Sequence, residues 1–144
     1  MNESLPKVLI VDDKPNNLYA LRRVLVSLHI EIIEANSGQE ALVQILHHNF
    51  FLVLLDVNMP GMDGFETADL ILSNKNSAET PIIFLTAINK EENFSIKGYR
   101  TGGVDYICKP FNEEILIGKV SVFKQLWQQN ILLSQRNNEL ALLT

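Results

Sequence analysis

The hydrophobic residues of the chain fall into short continuous runs that alternate with segments of helical periodicity. The most continuous run, residues 51–55, stops at one carboxylate, Asp56, and is followed at once by Pro60, Gly61 and Gly64. An unbroken apolar run between turn residues is typical of a strand buried on both faces of a parallel sheet. We therefore predict a strand that presents Asp56 at its carboxyl end, where open α/β sheets bind their ligands. The alternative for a single aspartate at this place is a turn-capping role.

Four further apolar runs predict strands over residues 8–11, 31–34, 81–85 and 104–108. The second of these is short and charged at both ends, which favours a place near the edge of the sheet. Helical patterns separate the strands throughout the chain. Strands and helices in this alternation predict a doubly wound α/β domain, because each right-handed crossover places a helix on one face of the sheet.

Five helices are predicted between and after the strands. The first covers residues 15–28, with an apolar stripe made of Leu18, Leu21, Val24, Leu25 and Leu28. Ser37 and Glu40 form a capping box for the second, whose apolar face contains Ala41, Leu42, Ile45 and Leu46. Residues 65–73 form the third, and residues 90–101 a more polar fourth that glycines end. Asn112 caps a fifth helix that continues toward the C-terminus.

Composition narrows the class of protein without identifying it. The 144 residues match one ordinary domain, and the single cysteine excludes an internal disulfide framework, which fits a reducing, cytoplasmic setting. No apolar run reaches membrane length and the N-terminus has no signal-peptide pattern. The net charge of −5, without a basic cluster, argues against nucleic acid and favours proteins, cations or small anions as partners.

Reactive polar residues follow four of the five predicted strands. Asp12 and Asp13 follow the first, Asp56 ends the third, Thr86 ends the fourth and Lys109 follows the fifth. Because the carboxyl ends of parallel strands meet at one edge of a sheet, we expect these five side chains to converge.

Electrostatics indicates what such a cluster does. Neighbouring carboxylates raise one another's pKa unless a cation neutralises them, and an all-oxygen ligand set suits Mg²⁺ or Mn²⁺. Asp56 is then placed to be a nucleophile that forms an acyl phosphate. Lys109 is expected to hold one phosphoryl oxygen as a point charge, and Thr86 to donate a hydrogen bond to another.

With these motifs the chain resembles the receiver domain of two-component response regulators. The matching segments are VLIVDD, LLDVNMPGMDG, PIIFLTA and DYICKPF, which with their spacing cover residues 7 to about 125. The resemblance implies a flavodoxin-like fold, a five-stranded parallel sheet in the order 2-1-3-4-5 with five helices. It also implies a switch that catalyses its own phosphorylation and dephosphorylation, and not a turnover enzyme acting on an external substrate.

The resemblance assigns roles to individual residues of the pocket. Asp56 accepts the phosphoryl group from a histidine kinase or a histidine phosphotransfer protein. Mg²⁺ is held by Asp13, Asp56 and the backbone carbonyl of Asn58, while Asp12 acts through water. Lys109, Thr86 and the backbone of Ala87 bind the phosphoryl group.

The same resemblance describes a conformational switch. Thr86 moves toward the phosphorylated aspartate and Tyr106 follows, which alters the face made by the predicted fourth helix, fifth strand and fifth helix. A half-buried strand aromatic is the simpler reading of Tyr106. The peptide bond between Lys109 and Pro110 is implied to be cis. Asn58 and Ile88 are expected to tune the lifetime of the phosphate, Ile88 by shielding it from water.

The helical pattern continues beyond the receiver-like part, so we predict a receiver domain over residues 1–125 and a helical extension over residues 126–144. As heptads, the extension has a parallel coiled-coil seam with leucine at d and mainly asparagine at a, made of Phe123, Leu126, Asn130, Leu133, Asn137 and Leu140. It predicts a homodimer and resembles a linker to an output domain, which the sequence does not identify. A helix folded back on its own domain, or a frayed end, is the alternative.

Three other classes of protein compete with this interpretation. A carboxylate-dependent phosphatase carries a second Asp two residues after its nucleophile, but here that residue is Asn58. A dinucleotide or P-loop protein has a glycine-rich loop after the first strand, which this chain lacks. An interaction module that keeps the fold and is never phosphorylated is the remaining alternative, and the complete polar set counts against it.

Overall fold

The computed structural model describes residues 5–87 and 105–143. Within them a five-stranded parallel sheet has the order β2-β1-β3-β4-β5, as predicted. The strands are β1 (Lys7–Val11), β2 (Glu31–Ala35), β3 (Leu52–Asp56), β4 (Ile82–Thr86) and β5 (Asp105–Cys108). The charged second strand lies at an edge of the sheet, which confirms its predicted place.

Four α-helices occur in the described residues. They are α1 (Pro15–Leu25), α2 (Gly38–His47), α3 (Gly64–Ser73) and α4 (Glu113–Leu143), and a 3₁₀ turn (Val26–Leu28) follows α1. The predicted helix over residues 90–101 lies outside the described residues. No helix in the described part of the chain is long and apolar enough to cross a membrane.

The sheet is covered on both faces, which explains its continuous apolar strands. Leu52 and Leu54 of β3 belong to one core cluster with residues of α1 and α4. Val53 and Leu55 of the same strand belong to the other cluster, with residues of α2 and α3. Because successive side chains of a strand point to opposite faces, every position of such a strand must be apolar.

One predicted core position is wrong. Leu46 of α2 is 69% exposed, although its helical spacing places it beside Ala41 and Leu42. Ala41 is fully buried against the sheet and Leu42 is half-buried. Ile45, one residue earlier in the same turn of α2, still packs against the second core cluster, so Leu46 is exposed because it lies at the edge of the apolar face around the helix.

Predicted capping residues begin two of the helices. The Ser37 hydroxyl accepts a hydrogen bond from the Glu40 backbone N–H, and the Asn112 side chain accepts one from the N–H of Ile115. Helix α3 has a full capping box between Asp63 and Glu66, which was not predicted although both residues have the required spacing. Each such cap satisfies backbone donors that would otherwise lack a partner.

Gly64, the first residue of α3, packs directly against the backbone that carries Asp56. Its N–H donates a hydrogen bond to the carbonyl of Val57. A Cβ atom built on Gly64 would overlap the carbonyl oxygen of Asp56 and lie 2.8 Å from the Cα atom of Val57. Only glycine therefore allows α3 to start this close to the end of β3.

We expect Gly64→Ala to lower the free energy of unfolding by about 1–3 kcal/mol, because the added methyl group must displace backbone atoms. Gly118→Ala is the matched control, since a Cβ atom at this exposed position of α4 meets no atom within 4 Å. It should raise stability by up to about 1 kcal/mol through helix propensity. Urea unfolding of both variants provides the measurement, and equal effects of the two substitutions would contradict the close approach.

Candidate functional site

The ends of four strands bring the predicted polar residues to one edge of the sheet. Strands β1 and β3 are neighbours, so Asp12 and Asp13 lie beside Asp56. Asp12 has no exposed surface, and Asp56 and Thr86 are also buried. Lys109 comes from the segment after β5, and its backbone N–H donates a 2.6 Å hydrogen bond to the carbonyl of Thr86. The edge of the sheet therefore holds the whole predicted set.

The Lys109 ammonium bridges two of the three carboxylates. Its Nζ atom lies 2.9 Å from Oδ2 of Asp12 and 3.3 Å from Oδ1 of Asp56. Oδ1 of Asp56 also accepts a long, 3.4 Å hydrogen bond from the backbone N–H of Asn58. The nucleophile candidate is therefore held from two sides, by a charge and by the backbone of its own loop.

The third carboxylate, Asp13, lacks a hydrogen-bond partner of this kind for one of its oxygens in the described part of the chain. Its Oδ1 atom is buried and has no hydrogen-bond partner among the residues that the structure describes. Carboxylate oxygens of Asp12, Asp13 and Asp56 lie within 4.8 Å of one another. A buried, unpaired carboxylate oxygen beside two others is an arrangement that a bound divalent cation stabilises, and these hard oxygen donors suit Mg²⁺.

The environment shifts the pKa of two groups. Burial raises the pKa of Asp56 above its ordinary value and the charge of Asp12 raises it further, while Lys109 and the Asn58 N–H act in the opposite direction. Burial alone would lower the pKa of Lys109. The hydrogen bond to Asp12 and the two carboxylate charges outweigh it, so the pKa of Lys109 is raised and its ammonium stays charged.

Three further predicted site residues, Asn58, Ala87 and Tyr106, lie on or just after strands of the sheet. Ala87 is exposed directly after β4, and Asn58 is exposed in the loop after β3. Tyr106 of β5 is half-buried and packs against the second core cluster. The Lys109–Pro110 peptide bond is cis, the conformation that the resemblance implies. Ile88 lies outside the described residues.

The residues of the predicted dimer seam lie on helix α4, where one is packed on the core and the others are exposed. Phe123 packs against the first core cluster of its own domain, as does Trp127. The other seam residues are exposed, namely Leu126, Asn130, Leu133, Asn137 and Leu140. The helix is continuous through residue 125, the boundary that the sequence predicts between the receiver and its extension.

The sequence model of the family called response regulator receiver domain matches residues 8–121, so the chain belongs to this family. Receiver domains bind Mg²⁺ at an acidic pocket, and this chain has the corresponding cluster of aspartates. Response regulators receive phosphoryl groups from histidine kinases, and their receiver domains are signalling switches and not turnover enzymes.

Individual relatives agree with this family. The transcriptional regulatory protein ResD of Bacillus subtilis is 40% identical over 114 residues, which is 79% of this chain and 46% of that protein. The transcriptional regulatory protein SrrA of Staphylococcus aureus is 38% identical with the same coverage. The chain thus spans about half the length of the curated relatives it matches.

Solved structures give the same result at the level of the fold and the sequence. The chemotaxis protein CheY4 of Vibrio cholerae has a TM-score of 0.78 and 30% identity, and the match covers 83% of this chain and 99% of that one. The Francisella response regulator 1452 receiver domain has a TM-score of 0.75 and 32% identity, with coverage of 83% and 97%.

We expect Asp56→Asn to stabilise the chain at pH 7 in the presence of EDTA, by on the order of 1 kcal/mol. A raised pKa means that the folded state holds the Asp56 proton more tightly than the unfolded state does. Ionisation of Asp56 therefore costs stability, and the cost is fully present above the raised pKa. It disappears as the pH falls below the ordinary value of 3.8.

Thermal unfolding at a series of pH values measures this difference, with the exposed mid-helix Asp69→Asn as control. The gain from Asp56→Asn should shrink as the pH falls, whereas the control should change little at any pH. An Asp56→Asn variant less stable than the parent at pH 7 would show that the Lys109 contact outweighs burial and repulsion.

Proposed function

We propose that this chain is a phosphorylation-dependent signalling switch, in which Asp56 accepts a phosphoryl group from a phosphohistidine. The donor is a histidine kinase or a histidine phosphotransfer protein. The observation that carries this proposal is the contact of Lys109 Nζ with both Asp12 and Asp56, beside the unpaired buried oxygen of Asp13. A structural ion pair requires one carboxylate for one ammonium, whereas this pocket concentrates three carboxylates.

The transfer is an in-line displacement at phosphorus. A carboxylate oxygen of Asp56 forms a new P–O bond while the P–N bond to the donor histidine breaks. The electron pair of that bond returns to the imidazole nitrogen, which is left as neutral histidine once it holds a proton. The product is an acyl phosphate, and attack of water on its phosphorus releases inorganic phosphate and restores the carboxylate.

Lys109 is the residue that stabilises the charge that develops on the phosphoryl oxygens. Its Nζ atom already lies 3.3 Å from the nucleophilic carboxylate, so it needs little movement to contact a group attached there. The raised pKa keeps it protonated at neutral pH. The Thr86 hydroxyl and the backbone N–H of Ala87, at the end of the neighbouring strand, are the further donors to this group.

Asp13, Asp56 and the backbone carbonyl of Asn58 are the groups that would hold Mg²⁺, with Asp12 acting through water. When bound, the ion neutralises carboxylate charge and the charge of the incoming phosphoryl group. Asp12 keeps its direct hydrogen bond to Lys109 at 2.9 Å, which leaves it oriented toward the ammonium. Mn²⁺ would serve the same oxygen ligands.

The output of the switch follows from Thr86 and Tyr106. Thr86 ends β4 and Tyr106 lies on β5 beside it, paired in register with Phe84. Movement of Thr86 toward the phosphorylated aspartate would open space that Tyr106 enters, which alters the surface near β5 and the start of α4. An acyl phosphate shifts this equilibrium by as much as it favours the active arrangement. Asn58 and Ile88 tune how long it persists.

The identity of the output is a separate part of the proposal. ResD and SrrA are transcriptional regulatory proteins, and the match covers less than half of each. The present chain therefore serves as the phosphoacceptor part of a regulator whose effector is a further domain or partner protein. An interaction module without phosphorylation is the competing function, and the first experiment below distinguishes the two.

Incubation with acetyl phosphate and Mg²⁺ should increase the mass of the chain by one phosphoryl group, because the reactive carboxylate needs no partner protein when the donor is small. The Asp56→Asn variant should gain no mass, and the exposed Asp69→Asn variant should gain as much as the parent. Removal of the metal with EDTA should abolish the reaction. Phosphate uptake by Asp56→Asn at the parental rate would overturn the assignment of the phosphoacceptor.

Lys109→Gln should lower the rate of phosphorylation by about 10²–10³-fold, the cost of removing one charge-stabilising donor from a site of this kind. Mg²⁺ binding, measured by calorimetry, should persist because the carboxylates remain. Lys75→Gln, in the exposed connection after α3, is the matched control. Loss of Mg²⁺ binding together with activity would instead show that Lys109 is required to keep the pocket folded.

A further inference from the structure

Helix α4 extends well beyond the domain that supports it. Leu116 and Val120 are fully buried, and Phe123 and Trp127 continue the same stripe against the first core cluster. Lys124 adds a 2.6 Å hydrogen bond from its ammonium to the carbonyl of Leu28. From residue 128 to residue 141 every side chain is exposed. The first half of the helix is therefore anchored, whereas the second half projects into solvent.

Helix propensity alone stabilises a projecting segment of this length only weakly. Isolated helices shorter than about 12–15 residues are marginal in water, and most helices in proteins depend on the packing of an apolar face. The projecting segment has such a face. Leu126, Leu133 and Leu140 recur every seven residues and are 48%, 55% and 61% exposed.

This leucine stripe lies about a quarter-turn around the helix from the face that packs on the core, at 3.6 residues per turn. It continues toward the domain through two further exposed residues, Val122 and Ile115. A helix can therefore approach the leucines without displacing any described part of the domain.

We propose that a second copy of this chain covers the stripe, in a parallel, in-register two-stranded coiled coil that begins at Leu126. The sequence-predicted seam is shortened by one position, because Phe123 is engaged by its own core. A second copy is the occupant because the face is self-complementary. Each leucine meets the same leucine across a twofold axis, and Asn130 and Asn137 each meet their own equivalent.

The asparagines decide the orientation of the two helices. In a parallel coiled coil each a residue faces the a residue of its partner, so the amides of Asn130 and Asn137 hydrogen-bond in pairs. An antiparallel arrangement would place them against leucines and bury amides without partners, which costs free energy. The flanking e and g positions from residue 127 to residue 141 contain one charged residue, Arg136, which faces Ala141 of a parallel partner. Like charges therefore do not meet across these flanking positions of a parallel dimer.

Sedimentation of the full chain tests the proposal independently of chemistry at Asp56. The parent should show twice the monomer mass at high concentration and dissociate on dilution. Leu133→Lys should be monomeric across that range, whereas Leu132→Lys should remain a dimer. Leu132 is the matched control, because it is 47% exposed on the same turn but lies off the stripe. A monomeric parent, or equal effects of the two substitutions, would overturn the proposal.

Cysteine crosslinking tests register and orientation, with circular dichroism to verify that each variant is folded. In a Cys108→Ala background, Asn130→Cys should form an intermolecular disulfide in high yield, because both copies of an a residue meet at the axis. Leu132→Cys, on the outer side of the helix, should not crosslink above the level of random collision. Failure of Asn130→Cys to crosslink, or equal yields at the two positions, would exclude a parallel, in-register pair.

Discussion

A charge imbalance at one edge of the sheet is the constraint on which this domain depends. Three carboxylates converge there, and one ammonium, Lys109, pairs with two of them. Two negative charges therefore remain uncompensated when all the groups are ionised, in a place from which water is largely excluded. The fold tolerates this because a divalent cation can complete the site. A pocket neutral in itself would bind the cation more weakly, and without the cation the carboxylates would repel an incoming phosphoryl group.

The strand order concentrates the excess negative charge at one place in the structure. Asp12 and Asp56 are brought together because β1 and β3 are adjacent at the centre of the sheet, although they are separated widely in sequence. Lys109 comes from two strands away and reaches across β4 through its long side chain. The carbonyl of Thr86 fixes the backbone of Lys109 at 2.6 Å, so the ammonium approaches from a defined direction. Gly64 completes the arrangement by allowing α3 to start against the end of β3.

Most of the sheet and the site could be predicted from the sequence because their signals are local and redundant. An apolar run predicts each strand. The polar residues of the site follow where four of these runs end, namely Asp12, Asp56, Thr86 and Lys109. The features that could not be predicted are contacts between individual side-chain atoms. The preference of Lys109 for Asp12 over Asp56 is a difference of 2.9 Å against 3.3 Å, which no spacing in the sequence encodes. The prediction for Leu46 was wrong for a related reason, because helical periodicity does not tell how much of the circumference of a helix the core covers.

The C-terminal helix shows the same limit on a larger scale. Over two or three turns, a period of 3.6 residues and a heptad of 3.5 select nearly the same positions, so the sequence cannot tell a residue that packs on its own domain from one that faces a partner. Phe123 and Leu126 look equivalent in the heptad pattern, yet Phe123 packs on the core while Leu126 is 48% exposed. Intrachain packing is always available to the helix, whereas a partner must be recruited from solution. The side chains that face the domain therefore pack on its core, and the adjacent stripe around the helix stays exposed.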